Sequence, residues 1–372
     1  MTIKFLGFLF KIGHIFTLTP SSIEPKQTTW ARKLYNVLIF AVLTAGAISI
    51  LIVQKFHRSS VLIKTIVTTA LDISVIAFHF QTTIVLNLWS AESWKNLLEG
   101  LKVSEYLIKT KKKKDNRKGY LVFVGFNLLY GISRGYIIYV RCSIRVEQCI
   151  QTQAWNLAQK YILLLYTFLL CVIANMIRMR YKGLRLRICS FLKKKSPVCD
   201  KNFLDFLDWV ESTMNLLKNT VQIYNSLFGG SIFWIISFTT FHILNYTYNL
   251  LYNSSLYNLS HVIFFTMFIF QWNFVVTSVL LLLCHSVTRE AERIVSLCFG
   301  VKWGFAHVSK AEEEKFYQFG NLVSQSIPTF RAANFFHISR RTILDMLWII
   351  CNFLILLIQF HDKDDRDEVI VH

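Results

Sequence analysis

Seven stretches of this chain are each about 20 residues or longer and mainly apolar, the length an α-helix needs to cross a hydrocarbon core of about 30 Å. They lie at Leu34–Gln54, Val61–Trp89, Gly119–Val140, Lys160–Ile177, Gln222–Leu251, His261–Val287 and Thr342–Phe360. The fold class that follows is all-α, a polytopic membrane protein of seven transmembrane helices. The second, fifth and sixth runs exceed the hydrocarbon thickness, so they either tilt or continue into water as helices. Composition agrees with this, because 53% hydrophobic residues, 32 Phe and only 17% charged residues do not suit a chain that turns its surface to water.

The excess of 41 Lys+Arg over 22 Asp+Glu gives a net charge of +19. In a soluble chain that excess points to nucleic acid, but here the basic residues sit in blocks between apolar runs and act instead as orientation signals. Lys4, Lys11, Lys26, Arg32 and Lys33 precede the first span. The loop after span two carries Lys95, Lys102, Lys109, Lys111 to Lys114, Arg117 and Lys118, and the loop after span four carries Arg178, Arg180, Lys182, Arg185, Arg187 and Lys193 to Lys195. Arg289, Arg293, Lys302, Lys310 and Lys315 follow span six, whereas the loops after spans one, three and five are poor in basic residues. The pattern predicts a cytoplasmic N-terminus and an extracellular C-terminus. Lys4 and Lys11 bracket too short an apolar stretch for a signal peptide, and the spacing of Phe5, Leu9, Ile12 and Phe16 predicts an amphipathic helix at the interface.

All N-x-[ST] acceptors lie near the loop after span five, at Asn245, Asn253 and Asn258, and the last two are the expected glycosylation sites. Of the 8 Cys, Cys142 and Cys149 fall in an external loop, where an oxidising compartment allows a disulfide. Their spacing is compatible with a bridge without requiring one. The other cysteines read as small apolar residues or reduced thiols.

An inside N-terminus contradicts a G-protein-coupled receptor, and no Asp-Arg-Tyr follows span three. His-Glu-x-x-His, a phosphate loop and paired Cys-x-x-Cys are missing, so neither an enzyme, a metal site nor a cofactor is expected. The one Gly-x-Ser-x-Gly match, Gly131 to Gly135, lies inside span three and reads as close helix packing through its two glycines. No span contains Pro, and Gly229-Gly230 in span five has no matching pair, which argues against a transporter of inverted repeats.

The last span carries Asp345, Asn352 and Gln359 seven residues apart, nearly on one helix face, with Ile355 and Leu356 in the same stripe. Such a face turns toward protein or water. Ordinary helix–helix hydrogen bonding explains it as well as a pore does. Asp345 near the inner mouth, and the acidic residues from Asp362 to Glu368 beyond the outer end, favour a pore in which acidic rings concentrate cations and Leu356 closes the path by dewetting.

The segment from Asn352 to Phe360 resembles the Thr-Tyr, five hydrophobic residues, Gln-Phe signature that ends the last helix of insect gustatory receptors. It keeps Gln359 and Phe360 but has Asn352-Phe353 where Thr-Tyr is usual. Chain length, seven spans, an inside N-terminus and basic cytosolic loops fit the same family. The resemblance implies a chemosensory, ligand-gated, non-selective cation channel in the plasma membrane of sensory neurons. It further implies a homo- or hetero-tetramer whose last helices line one pore, with Gln359 and Phe360 at the constriction. Sugar receptors of the family tend to carry an acidic residue where this chain has Leu354, so a bitter or other non-sugar organic ligand is expected. An odorant-type receptor, an accessory subunit and a small-solute transporter are the alternatives.

The expected organisation is a cytoplasmic segment over 1–33, helices one to six with the ligand-binding bundle over 34–287, and cytoplasmic anchor helices over 288–341. The pore helix then covers 342–360 and an extracellular acidic tail 361–372. Polar residues in the outer half of the membrane mark the candidate ligand site. Asp72 and Arg134 pair or line a wet cavity, His242, Gln271 and Asn273 add polar groups, and Tyr130, Tyr166 and Trp272 supply aromatic walls. The same residues also read as structural pairs and isolated bundle contacts. The partners implied are a small organic ligand, cations and membrane lipid, and no nucleic acid.

Overall fold

The computed structural model describes residues 3–19, 30–56, 62–108, 117–142, 146–194, 201–252, 259–300 and 310–370. All seven apolar runs fall within helices. These are α2 (Trp30–Phe56), α3 (Leu62–His79) continued by a π-helical segment (Phe80–Trp89), α5 (Arg117–Cys142), α6 (Val146–Lys194), α7 (Lys201–Tyr252), α8 (Leu259–Gly300) and α10 (Arg340–Ile370). Six of these pass as membrane spans by length and apolarity. α5, at 26 residues, is long enough, but Asn127, Arg134 and its glycines dilute its apolar character.

Three helices run far past the lipid. α6, α7 and α8 have 49, 52 and 42 residues, and at about 1.5 Å per residue each is at least about twice as long as the hydrocarbon core is thick. The basic residues from Arg178 to Lys194 after span four, and Arg289 and Arg293 after span six, therefore lie on the continuing ends of transmembrane helices, not in loops. After span two the chain breaks at Ser90 and starts a separate helix, α4 (Ala91–Ile108), which buries Trp94, Leu97, Leu98 and Leu101 at helical spacing. Ion pairs bind these extensions together. Glu105 of α4 accepts a 2.7 Å bond from Arg180 of α6, and Glu290 of α8 accepts from Arg185 at 2.9 Å and Arg293 at 2.7 Å.

α6 forms the central post. Its apolar window is 83% buried by the rest of the chain, against 22% for α2 and for α10. α1 (Ile3–Ile15) is helical as its spacing predicts, but its apolar face meets protein instead of lipid. Phe10 packs edge-on against Trp94 of α4, and Phe5 and Phe8 pack against Tyr120 of α5. The turn after α1 is held by the Asn87 amide of the π-helical segment, which donates to the Thr17 carbonyl.

Between α9 (Lys310–Gln325) and α10 lies a hairpin outside the all-helical expectation, with β1 (Arg331–Ala332) antiparallel to β2 (Phe336–His337). Ala333 and Asn334 turn it at φ 47° and 60°, in the left-handed region. The connection is pinned to α7 and α8. Asn225 donates to the Thr329 carbonyl and accepts from the Arg331 amide, while Thr288 donates to the Pro328 carbonyl. Gly229 meets the hairpin directly, since a Cβ there lies 3.1 Å from Ala333 N and Arg331 O. The Gly-Gly pair in span five thus serves close approach, Gly229 to this hairpin and Gly230 to the Gln81 amide.

Candidate functional site

Three of the expected ligand residues come together where α5, α6 and α8 meet. Tyr130 packs with Leu164 and Val276, and Tyr161 and Trp272 close on this cluster. The Tyr130 and Tyr161 rings lie 5.7 Å apart, and Phe126 meets Trp272 edge-on at 5.3 Å. One turn beyond Tyr130, the Arg134 guanidinium lies 5.0 Å over its ring. Arg134 is only 7% exposed, yet its Nε and Nη2 have no hydrogen-bond partner, and neither has the Tyr130 hydroxyl. Buried charged donors left unmatched are costly, and here the Tyr130 ring face offsets part of that cost.

The other expected residues lie elsewhere. Among the described residues no ion pair joins Asp72 to Arg134; the charge acting on half-buried Asp72 is Lys160 of α6. Tyr166 is sealed in the main core, where its hydroxyl bonds Ser231 at 3.2 Å and its ring meets Phe78. His242 lies 5.5 Å from the Phe238 ring on α7. Asn273 is 3% exposed, with neither amide atom bonded. The side chains of Gln271, Phe360, Cys142 and Cys149 lie outside the described residues, as do Asn253 and Asn258.

Gly131 and Gly135 were expected to pack closely against another helix. Among the described residues nothing lies within 4 Å of a Cβ at either position, so the close packing expected of them is not formed there. Sequence reasoning also missed Asn127 and Tyr161, whose side chains join α5 to α6 by a 2.9 Å bond from the Tyr161 hydroxyl to Asn127 Oδ1. Asn127 stands seven residues before Arg134, and that spacing was the available signal.

α10 presents two unlike faces. Met346, Ile350 and Leu357 are buried, and Ile350 packs with Val67 of α3, Ile243 and Leu244 of α7 and, at the edge, Phe274 of α8. On the opposite side Asp345, Ile355, Leu356 and Gln359 are exposed and Asn352 half-exposed. The Asn352 amide donates to the Trp348 carbonyl of its own helix at 2.9 Å, and Arg341 approaches Asp345 at 3.7 Å. The cluster around Ile350 joins α8, which carries Trp272 and Asn273, to the last helix.

A bundle of long apolar helices with extended polar ends defines a polytopic membrane protein. The family model for the 7tm chemosensory receptors matches residues 6–364, and the chain belongs to that family. Its fold is similar to that of the insect olfactory receptor OR5 from Machilis hrabei, with a TM-score of 0.64 over 96% of this chain and 97% of that one, at 13% identity. The same receptor in complex with eugenol matches with a TM-score of 0.61 at 14% identity, again over 96% and 97% of the two chains. A comparison with curated protein sequences finds no match.

Proposed function

We propose that the chain is a subunit of a ligand-gated, non-selective cation channel of gustatory type, opened by a non-sugar organic compound, in the plasma membrane of a sensory neuron. The observation that carries this reading is the uncovered stripe on α10, in which Asp345, Asn352, Ile355, Leu356 and Gln359 share the face that the chain itself leaves bare. Amides and a carboxylate facing lipid are unfavourable, and a water-filled axis shared by four copies relieves that cost. In this arrangement the N-terminus is cytoplasmic, α10 lines the pore with Gln359 and Phe360 at its constriction, and residues 361–372 lead outward. The extended ends of α6 to α8 over the cytoplasm, with α9 and the hairpin, hold the subunits together.

The ligand site on this reading is the cluster of Tyr130, Arg134 and Trp272, with Tyr161 in its wall and Asn273 beside Trp272 on α8. Ligand stabilises the open state to the extent that it binds that state more tightly. The route to the pore is α8 itself, which carries Trp272 in the cluster around Tyr130 and Phe274 in the cluster around Ile350, with Phe353 of α10 packed at its edge. Asp72, Tyr166 and His242 are then positioning residues of the bundle.

Patch recording from cells expressing the chain alone, with Gln359→Ala and Asp345→Lys, tests the pore. Altered permeation and block support it, and unchanged conductance in both variants overturns it. A second reading, an odorant-type receptor, is favoured by the similarity to an olfactory receptor solved with eugenol; volatile and bitter panels on the same cells separate the two. An accessory subunit conducts only with a partner, and a transporter gives saturable flux without unitary steps.

A further inference from the structure

α8 and α10 pack side by side, and each leaves bare an apolar strip that ends in an arginine. On α8, Val275, Leu282 and Arg289 stand seven residues apart, so each step keeps the same face to within about 20° and advances about 10 Å along the axis. All three are exposed. On α10, Leu344 and Leu347 are exposed about one and two turns beyond Arg340, which is exposed as well. This flank is distinct from the polar stripe, since Leu344 is turned about 100° from Asp345.

The two arginines come to one level. Arg340, Glu292 and Arg289 all act electrostatically on the half-buried His285 of α8, so the start of α10 and the end of the α8 strip share one neighbourhood. Thr288 ties the chain before the hairpin to the same turn of α8 through the Pro328 carbonyl at 3.2 Å. The hairpin adds Arg331, exposed and opposite His337 across the strands, and Phe335 at 76% exposure. Among the described residues Arg289, Arg331 and Arg340 have no ion-pair partner, while Glu290 is taken by Arg185 and Arg293, and Asp345 lies against Arg341. Positive charge therefore exceeds negative where the apolar span of α10 begins.

Bare apolar strips that end in unmatched guanidinium groups, with an exposed phenyl ring beside them, repeat the layering of a phospholipid, chains first and then phosphate. A soluble polyanion takes the arginines but has no use for the bare leucines. A zwitterionic headgroup sets its own cation beside Arg289 and Arg340 and cancels most of the attraction, whereas an anionic one leaves a full negative charge for them. We propose that α8, the hairpin and the start of α10 form a binding surface for an anionic phospholipid of the inner leaflet, its phosphate between Arg289 and Arg340 and its chains along Leu282 and Leu344. The proposal rests on the cytoplasmic placement of this end in the reading above, and sets the lipid against the first turn of the helix assigned there to the pore.

Photoactivatable phosphatidylinositol, with a diazirine in one acyl chain, tests this on the purified full chain in phosphatidylcholine nanodiscs. Peptides covering 275–289 and 340–351 should be labelled several-fold more by it than by phosphatidylcholine carrying the same chain. Arg289→Gln combined with Arg340→Gln should lower that labelling about tenfold or more, and Arg289→Lys with Arg340→Lys by less, since the charge remains. Lys95→Gln on α4, a basic residue outside the surface, should leave it unchanged. Equal labelling by the two lipids, or unaltered labelling in the double Gln variant, overturns the proposal. Displacement of the label by inorganic phosphate, where chloride of equal ionic strength has no effect, makes the occupant a free anion and overturns it as well. Nanodiscs present the lipid on both faces, so this readout depends on neither topology nor current. A chain that carries no current in cells loses the channel reading and keeps the lipid surface; unaltered labelling in the double Gln variant together with normal currents does the reverse.

Discussion

Gly229 of α7 lies so close to Ala333 in the hairpin turn that a Cβ at Gly229 comes within 3.1 Å of the Ala333 nitrogen. The atoms opposite are backbone, held by the Asn225 bonds to Thr329 and Arg331, so they yield little. Gly229→Ala should cost about 1–3 kcal/mol and shift the start of α10, which follows β2 by three residues. Gly131→Ala, with open space around it, should be neutral or stabilising by up to about 1 kcal/mol. Thermal unfolding of the two variants in the same nanodiscs makes the comparison.

Among the described ion pairs Arg180 is the most buried partner, its side chain 4% exposed against 30% for Glu105. Glu105→Gln leaves that guanidinium buried without its counter-charge and should destabilise by about 3–5 kcal/mol. Replacing both members by apolar residues of similar size should recover most of the loss. Unfolding midpoints of the single and double variants decide this.

The hydrogen bond from Tyr161 to Asn127 joins α6 to the α5 wall beneath Arg134. Tyr161→Phe removes the donor while keeping the ring against Tyr130, and should cost about 0.5–1.5 kcal/mol. On the ligand-site reading the agonist concentration for half-response also shifts several-fold, with maximal current kept. Dose–response recording reads both quantities.

Asp345 is 61% exposed and only loosely paired with Arg341, so on the pore reading its charge acts mainly through the field at the mouth. Asp345→Lys should lower unitary cation conductance strongly at low ionic strength and little at about 1 M salt, where the Debye length falls to about 3 Å. A conductance loss independent of salt indicates a steric effect in its place.

His14 in α1 accepts a 3.2 Å bond at Nδ1 from the Arg32 guanidinium, and burial first, then the Arg32 charge, lower its pKa from 6.5. The folded state therefore binds fewer protons than the unfolded one just below that value, and stability must fall as pH drops through that window. Docking of α1 against α4 and α5 should be intact above about pH 6.5 and loosen under mild acid. His14→Gln should flatten this dependence, which hydrogen exchange over residues 3–19 at a series of pH values measures.

Much of the architecture was legible in the sequence, because a membrane crossing is a property of one segment at a time. The run from Val61 to Trp89 or from Thr342 to Phe360 needs only its own length and apolarity to read as a helix. The polar stripe on α10 follows from a period within one helix. What was missed depends on two segments at once. The basic stretch around Lys95 and Lys102 hid α4, whose buried face exists only against α1, α6 and α7. Asp72 and Arg134 share a depth but face different neighbours, so their pairing did not follow from depth. Gly131 and Gly135 have the spacing of a packing motif, and only the positions of the other helices leave them open.

The sequence by itself determined which seven stretches lie in long helices and which residues share a face on each, since these follow from hydropathy and helical periodicity along a single chain segment, and the motif ending the last helix carried the resemblance to the family. The tertiary structure alone decided that Arg134 is buried over the Tyr130 ring and that most of the α10 surface is left uncovered by the rest of the chain. Burial and hydrogen-bond satisfaction are sums over neighbours from distant parts of the chain, and no local pattern contains them.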